Sequence, residues 1–296
     1  MDSILVSVLM TSYNREKFIA EAIESVLGST YTNFELIIVD DGSMDDTVKI
    51  ARNYERSDER IKIYINETNL GDYANRNRAA SFAKGKYLKY VDSDDKIYNW
   101  TLQYCVDMME IYPDAVLGIR HYNNIKEDFL LPTATIYKNY FEFDILNVGP
   151  SGTIFKRDEF EKFGGYDAIY GPASDLYFNL KMANLYPVVL LKKEFFFYRT
   201  HEGQELNNRY SYLQYNYRYL KDAFNLPGFP LNAEQKKYLL RRQRFWYVRD
   251  FMVYIKNTGK IGQAIKAASH SGMNFIHFIS GLIELLLIKL RIKGNY

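Results

Sequence analysis

Cysteine is nearly absent from this chain of 296 residues: Cys105 stands alone. A single thiol excludes an intramolecular disulfide and any cysteine-cluster zinc site. It fits a reducing compartment, so the cytoplasm is the expected location. An excess of charge of one sign is also missing. Lys and Arg number 38 against 36 Asp and Glu, a formal net charge of +2, too little for the chain-wide basic field that steers a protein onto nucleic acid. No nucleic-acid partner is expected. The apolar run from Ile4 to Met10 follows Met1 with no basic leader and no small-residue cleavage site, so a secretory signal is not expected either. The most apolar segment, Phe275 to Ile292, is broken by His277, Ser280, Glu284 and Lys289, which speaks against a bilayer-spanning helix. Internal repeats and low-complexity segments are lacking as well.

What is present suits an ordinary globular enzyme. The hydrophobic fraction is 47% and the charged fraction 25%, in a chain long enough for one large domain with an appendage or two modest domains. Aromatics are abundant, at 16% with 27 Tyr, a composition that suits surfaces stacking on rings or sugars. From residue 4 to about 120, short β-rich runs alternate with helix-period segments, the signature of a mostly parallel α/β sheet. Strands are expected at Ile4–Met10, Glu35–Val39, Ile61–Ile65 and Lys86–Val91. Helices are expected at Lys17–Leu27, with Phe18, Ala22, Ile23 and Val26 inward, at Asp45–Tyr54 and at Tyr73–Ala83. After Ala115–Ile119 the rhythm turns irregular, with Gly149, Gly152, Gly164, Gly165 and Gly171 marking turns around a strand at Thr153–Lys156. A helix at Leu176–Leu185 and strands at Val188–Leu191 and Phe195–Arg199 follow, and from about residue 209 the pattern is helical and basic.

Ligands of open α/β sheets sit beyond the carboxyl ends of the strands. Three polar motifs occupy such ends: Thr11 to Asn14, Asp40 to Ser43, and Asp92 to Asp95. They are expected to converge on one crevice. Asp92-x-Asp94 followed by Asp95 offers hard oxygen ligands for Mg2+ or Mn2+, and so sparse a set suits a cation that a diphosphate helps to coordinate. The plainer account of such a triplet is a solvated acidic turn. Asp41 can accept a base N–H such as the imide of uracil, while Ser43 or Asp45 caps the next helix. Thr11-Ser12-Tyr13-Asn14-Arg15 brings backbone N–H groups and an aromatic ring to a strand–helix junction, where a nucleotide can be held. Asn69-Leu70-Gly71 with Arg76-Asn77 places a guanidinium in a helix after a turn, a partner for phosphate oxygens. Each of these motifs alone is weak.

Together they are not. T-S-Y-N-R-E, F-E-L-I-I-V-D-D-G-S-x-D-D-T, N-x-G with R-N, and G-K-Y-L-K-Y-V-D-S-D-D stand in order over residues 4 to 97. This series resembles the nucleotide-binding half of family 2 glycosyltransferases, which have the GT-A fold. The resemblance implies an α/β architecture of GT-A type, with a mixed, mostly parallel sheet flanked by helices and a C-terminal helical extension. It implies a catalytic domain over 1–205, divided into a nucleotide-sugar half (1–120) and an acceptor half (121–205), and a helical extension over 206–296. Thr11 and Tyr13, with Asn14 beside them, would frame the nucleoside, Asp41 would face the base, Asp92 would belong to the nucleotide-sugar site, and Asp94 would lie near the ribose or metal. The metal would be held by Asp94 or Asp95. Asn75 departs from the small residue that the family often carries before its Arg-Asn pair. In the second half, Ser174-Asp175 stands where the family has Glu-Asp, so Asp175 resembles the catalytic base; its alternative role is to cap the following helix. Tyr198-Arg199-Thr200-His201 resembles a stretch whose histidine can approach the metal or diphosphate.

The activity so implied is inverting transfer of a hexose from a nucleotide diphosphate-sugar, with UDP expected, to an acceptor hydroxyl in cell-surface polysaccharide or glycan assembly. Mn2+ or Mg2+ would be the cofactor, and a glycan or lipid-linked glycan the acceptor. A sugar nucleotidyltransferase would want a glycine-rich phosphate loop near the first strand, where Ser12-Tyr13-Asn14-Arg15 has no glycine. A noncatalytic nucleotide- or sugar-binding protein is the rival of another class. In the tail, Lys236, Lys237, Arg241, Arg242, Arg244 and Arg249 mix with Leu239, Leu240, Trp246, Phe251 and Met252 at helical spacing, as in a packed helix with a solvated basic face. Phe275 to Lys293 sets a narrow polar stripe against a broad apolar surface. That helix either lies on an anionic membrane, at the inner face of the cell membrane, or buries itself against the main domain or a second subunit.

Overall fold

The computed structural model describes residues 4–121, 126–133, 145–204, 208–215 and 217–293, with side chains in the last helix through Leu286. Strands β1 (Val6–Ser12), β2 (Phe34–Asp40), β3 (Ile61–Ile65) and β4 (Tyr87–Tyr90) run parallel in the order β3-β2-β1-β4. β1 is buried along its whole length and β2 nearly so. Strands covered on both faces read as continuous apolar runs rather than alternating ones, which is why Val8-Leu9-Met10 and Leu36-Ile37-Ile38-Val39 carry no polar interruption. Beyond β4 the sheet becomes mixed. β6 (Leu117–Arg120), β7 (Phe129–Leu131), β8 (Thr153–Lys156) and β9 (Val188–Leu191) extend it in the order β4-β8-β6-β9-β7. β8 is antiparallel to β4 and β6, β9 is parallel to β6, and β7 is antiparallel to β9. β5 (Lys96–Ile97) and β10 (Phe196–Phe197) form a separate antiparallel ribbon, so the strand expected over Phe195–Arg199 is shorter and lies outside the main sheet.

Helix α1 (Ile19–Leu27) buries Ile19, Ala22, Ile23 and Val26, the spacing that puts one face on a sheet. Phe18, expected on that face, precedes the helix and is half-buried, with the Arg199 guanidinium 5.0 Å above its ring. α2 (Thr47–Ser57) and α3 (Asp72–Ser81) follow β2 and β3. α4 (Thr101–Ile111) was not anticipated, although Leu102, Cys105, Val106 and Met109 are buried at helical spacing. Trp100 precedes it with no side-chain cap, so the usual start signal is missing. α5 (Arg157–Lys162) and α6 (Ser174–Ala183) come later; α6 begins earlier than the Leu176 expected.

Two compact units divide the chain, Met1–Ala168 with Phe178–Thr200, and Ile169–Tyr177 with His201–Tyr296. The boundary expected near residue 205 lies outside the described residues. In the first unit much of the aromatic excess is core: Phe155, Phe160, Tyr166 and Phe178 hold ring centroids 4.9–5.6 Å apart along five of their contacts, and Tyr87 and Tyr90 are fully buried. The second unit contains α7 (Arg209–Tyr215), α8 (Arg218–Ala223), α9 (Ala233–Thr258), α10 (Ile261–His270) and α11 (Phe275–Lys293). α9 starts on a reciprocal cap: the Gln235 N–H donates to Asn232 Oδ1 at 2.9 Å and the Asn232 N–H to Gln235 Oε1 at 3.0 Å. It ends on Gly259, whose φ of +69° is the left-handed stop that glycine permits.

Gly85 packs directly against the backbone at the start of β1. A Cβ there would lie 2.6 Å from Ser7 N and 2.7 Å from Leu5 O, and neither can retreat without disturbing β1 at the centre of the sheet. Gly85→Ala is therefore expected to destabilise the protein by ~1–3 kcal/mol, the usual cost of overpacking. Urea unfolding checks this, and an unchanged midpoint would refute it.

Candidate functional site

The loops that leave β1 and β2 are sewn together by their own polar side chains. Ser12 Oγ donates to Asp40 Oδ2 at 2.8 Å, and Ser43 donates to the same carboxylate through its N–H at 2.7 Å and its Oγ at 2.6 Å. Asn14 donates its N–H to Ser43 Oγ at 2.8 Å and accepts the Met44 N–H on Oδ1 at 2.9 Å. Its φ of +53° is left-handed, a conformation that asparagine tolerates better than most residues. Thr11 is buried in β1, whereas Tyr13 stands at the loop crest with 41% of its surface exposed.

Asp41 organises the next loop. Its Oδ1 accepts Asn66 Nδ2 at 2.6 Å and the Leu70 N–H at 2.8 Å, and Oδ2 accepts the Gly71 N–H at 2.9 Å. A carboxylate offers about four acceptor positions, so Oδ2 keeps capacity for one more donor. Asn75 finds its reason here. Its Oδ1 accepts Asn66 Nδ2 at 2.9 Å and its Nδ2 donates to Val39 O at 3.0 Å, tying α3 to the end of β2, which a small residue cannot do. Arg76, expected to face phosphate, is buried between carboxylates: Nε lies 2.9 Å from Asp72, Nη1 lies 2.6 Å from Asp92, and the guanidinium sits 5.7 and 5.8 Å from the rings of Tyr73 and Tyr90. Burial works against its charge, yet Asp72 and Asp92 hold it above the ordinary guanidinium value.

The acidic cluster follows β4. Burial would raise the Asp92 carboxyl, but Arg76 brings it below the usual carboxylate value. The Asp92 N–H donates to Ser151 Oγ at 3.2 Å. Asp94 Oδ2 is 3.0 Å from Arg15 Nε, a contact that joins this cluster to the loop after β1. Asp95 differs from its neighbours. Its Oδ1 accepts the Arg199 N–H at 2.9 Å, while Oδ2 is buried with no hydrogen-bond partner. Burial, with the charges of Asp92 and Asp94, pushes this carboxyl up to about 8.

Beneath the cluster lies a residue that sequence reading passed over. Lys89 is fully buried in β4, and its Nζ donates to Ser151 O at 2.6 Å and Tyr90 O at 2.7 Å. Burial lowers it to about 8. The available signal was a lysine inside the strand Tyr87-Leu88-Lys89-Tyr90. The roles of Arg15 on Asp94 and of Asn66 under Asp41 were also unassigned from sequence.

Asp175 and His201 belong to the second unit. Asp175 is buried in the first turn of α6, its Oδ1 accepting the Leu176 N–H at 2.7 Å, while Ser174 Oγ donates to Gly171 O at 2.7 Å. Asp175 is thus inside the helix rather than its capping residue. The His201 N–H donates to Gln204 Oε1 at 3.1 Å.

The first unit therefore gathers Thr11, Tyr13, Asn14, Asp41, Arg76, Asp92, Asp94 and Asp95 around the carboxyl ends of β1, β2 and β4. Asp95 decides whether this region fits a divalent cation. A buried, unpartnered carboxylate oxygen beside a second carboxylate is a hard donor of the kind Mg2+ and Mn2+ take, and a cation would offset both the burial and the neighbouring charges that raise its pKa. Among the described residues no three His, Cys, Asp or Glu side chains are grouped as a metal site. The residues fit a cation whose shell a ligand and water complete.

The family model described as glycosyl transferase family 2 matches residues 7–163. Among curated proteins, the Escherichia coli UDP-Glc:alpha-D-GlcNAc-diphosphoundecaprenol beta-1,3-glucosyltransferase WfgD is 46% identical over 96 residues, which is 32% of this chain and 37% of that protein. The chain spans 36–44% of the length of other curated relatives it matches. Among solved structures, S. aureus TarS 1–349 in complex with UDP-GlcNAc superposes with a TM-score of 0.70 at 21% identity, covering 89% of this chain and 79% of that one. The mannosyltransferase PcManGT from Pyrobaculum calidifontis, in complex with GDP-Man and Mn2+, gives 0.65 at 17% identity, covering 95% and 86%. The fold is of GT-A type.

Asp95 makes stability depend on pH in a direction opposite to that of most carboxylates. Its folded pKa of about 8 lies above the ordinary 3.8, so between these values the unfolded chain has released a proton that the folded one keeps. The contribution is complete below about pH 4 and is lost as pH rises through about 8. In metal-free protein, Asp95→Asn should remove a decline on the order of a few kcal/mol across that window. Urea titrations at a series of pH values in EDTA test this; parallel curves for both proteins would rule it out.

Proposed function

The chain belongs to glycosyl transferase family 2, and on that footing we propose that it is an inverting hexosyltransferase that moves a sugar from a nucleotide diphosphate to an acceptor hydroxyl. The observation that carries this reading is the set of polar loops joined at the carboxyl ends of β1, β2 and β4, where Asp40 and Asp41 fix two turns and Asp94 and Asp95 present oxygens. Such pre-set donors and acceptors bind without reorganising. Tyr13, exposed at its loop crest, is suited to lie on the base, with Thr11 and Asn14 beside it, and the open position on Asp41 Oδ2 is suited to a base N–H. Arg76 acts through Asp92, holding that carboxylate ionised.

In the proposed reaction the acceptor oxygen bonds to the anomeric carbon as the bond from that carbon to the diphosphate breaks. The acceptor proton passes to the Asp175 carboxylate, and nucleoside diphosphate leaves. Attack opposite the leaving group inverts the anomeric centre. Asp94 and Asp95, with His201, would hold Mn2+ or Mg2+, which supplies positive charge to the departing diphosphate. UDP is the proposed nucleotide, supported by the UDP-Glc in the name of WfgD and the UDP-GlcNAc bound by TarS. The proposed acceptor is a lipid-linked glycan, supported by the diphosphoundecaprenol of WfgD's name, and the proposed setting is cell-surface polysaccharide assembly on the cytoplasmic side.

Asp175→Asn is expected to lower transfer by ~10²–10⁴-fold, the usual share of a general base, while nucleotide affinity measured by thermal shift with UDP and Mn2+ stays as in the parent. Turnover retained by the variant would remove Asp175 from the mechanism. In the same assay UDP is expected to raise the melting point, with ~2.7 kcal/mol of stabilisation at a hundredfold excess over Kd. A response to GDP and none to UDP would reassign the donor.

A further inference from the structure

Helix α11 has two opposed faces. One packs on the rest of the helical unit: Phe278 meets the Phe251 ring at 4.9 Å, His277 meets Tyr217 at 5.7 Å, and Glu284 accepts Arg241 Nε at 2.6 Å. Gly281 lies so close to α9 that an added Cβ would be 2.7 Å from Arg244 O. The other face is bare. Phe275, Ile276, Ile279, Ile283 and Leu286 are 79%, 75%, 37%, 50% and 53% exposed. At 3.6 residues per turn these five fall within an arc of about 100°, on the side opposite the packed residues. α10 adds Ile261 and Ile265, 56% and 59% exposed, four residues apart and flanked by exposed Lys260 and Lys266.

Charge identifies the occupant. From Phe251 to Lys293 the sequence carries Lys256, Lys260, Lys266, Lys289, Arg291 and Lys293 against the single acid Glu284, whose carboxylate is already paired with Arg241. An apolar stripe carried by a segment so rich in cations along its sequence matches a surface that is apolar inside and anionic outside, the profile of a bilayer rich in acidic lipid. A second copy of this chain would bring the same cations against themselves. No helix among the described residues is long and apolar enough to cross a membrane, and a helix with one packed face has no need to cross. We propose that the stripe Phe275–Ile276–Ile279–Ile283–Leu286 seats this protein on an anionic lipid bilayer, with α11 lying in the interface. The inference is independent of the transferase reading, because it rests on the helical unit alone.

The test is sedimentation of the full chain with vesicles of phosphatidylcholine alone and of phosphatidylcholine mixed with phosphatidylglycerol, without donor or acceptor. Binding is expected to the mixed vesicles, to weaken as salt rises, and to fall at least about tenfold in partition coefficient in Ile276→Asp/Ile283→Asp, the effect of roughly 1.4 kcal/mol. Both positions are solvent-exposed, so the variant should melt as the parent does; Phe275→Asp provides a second variant at the helix end, and Ile111→Asp, an exposed site in the other unit, should bind as the parent does. Three outcomes would each overturn the proposal: no binding of the parent to mixed vesicles, full binding by both stripe variants, or a dimer in light scattering that the double variant dissolves.

Discussion

Charged carboxylates brought together away from bulk water repel each other and lose hydration, and they persist only where a donor or a cation answers each of them. Asp40, Asp41, Asp92, Asp94 and Asp95 are crowded in this way at the ends of β2 and β4. Arg76 carries the heaviest part of the answer, since it is itself buried and touches both Asp72 and Asp92. Removing one partner of such a pair leaves the other uncompensated, at a cost of ~3–5 kcal/mol. The aromatic faces of Tyr73 and Tyr90, 5.7 and 5.8 Å from the guanidinium, favour the same cation through their quadrupoles.

The bonds that satisfy these charges also fix the loops. Asp41 takes the N–H groups of Leu70 and Gly71, so the turn before α3 is set by the carboxylate at the end of β2. Asp40 takes two donors from Ser43, and Asn14 reaches across to Ser43 and Met44. Neutralising acid and shaping a crevice are one set of contacts here. Asp95 is the exception, with one buried oxygen left unanswered, and its raised pKa is the electrostatic record of that imbalance.

How much of this could be read beforehand depended on whether the signal was local. β3, β8 and β9 have the limits that their apolar runs and flanking turns imply, because strand ends are marked by neighbours in sequence. The three polar motifs at strand ends were legible for the same reason, and their order carried the resemblance to family 2 that the family match bears out. The partner of Arg76 was not legible. A guanidinium after a turn looks like a phosphate ligand until the fold brings Asp92, just beyond β4, within 2.6 Å of it. Lys89 was invisible in another way: one lysine in a strand reads as an edge or a solvated face, and its burial becomes tolerable when the Pro150–Gly152 turn brings Ser151 O to 2.6 Å, beside Tyr90 O at 2.7 Å. The aromatic surplus could not be apportioned between core and surface from the sequence, because composition does not say which side of a surface a ring occupies.

Lys89 also closes the charge balance. Its ammonium holds Ser151, whose Oγ in turn takes the Asp92 N–H, so a chain of bonds runs from the interior of the sheet to the acidic cluster and on to Arg76. Arg15, Arg76 and Lys89 are the cations set around Asp92, Asp94 and Asp95, and Arg76 is shared with Asp72. These groups roughly cancel. A diphosphate brought here in the proposed reaction would meet no surplus of positive charge among these residues, unlike in a site built on a lysine-bearing phosphate loop. It would have to arrive with its own divalent cation, and the unpartnered oxygen of Asp95 is where such a cation would gain most.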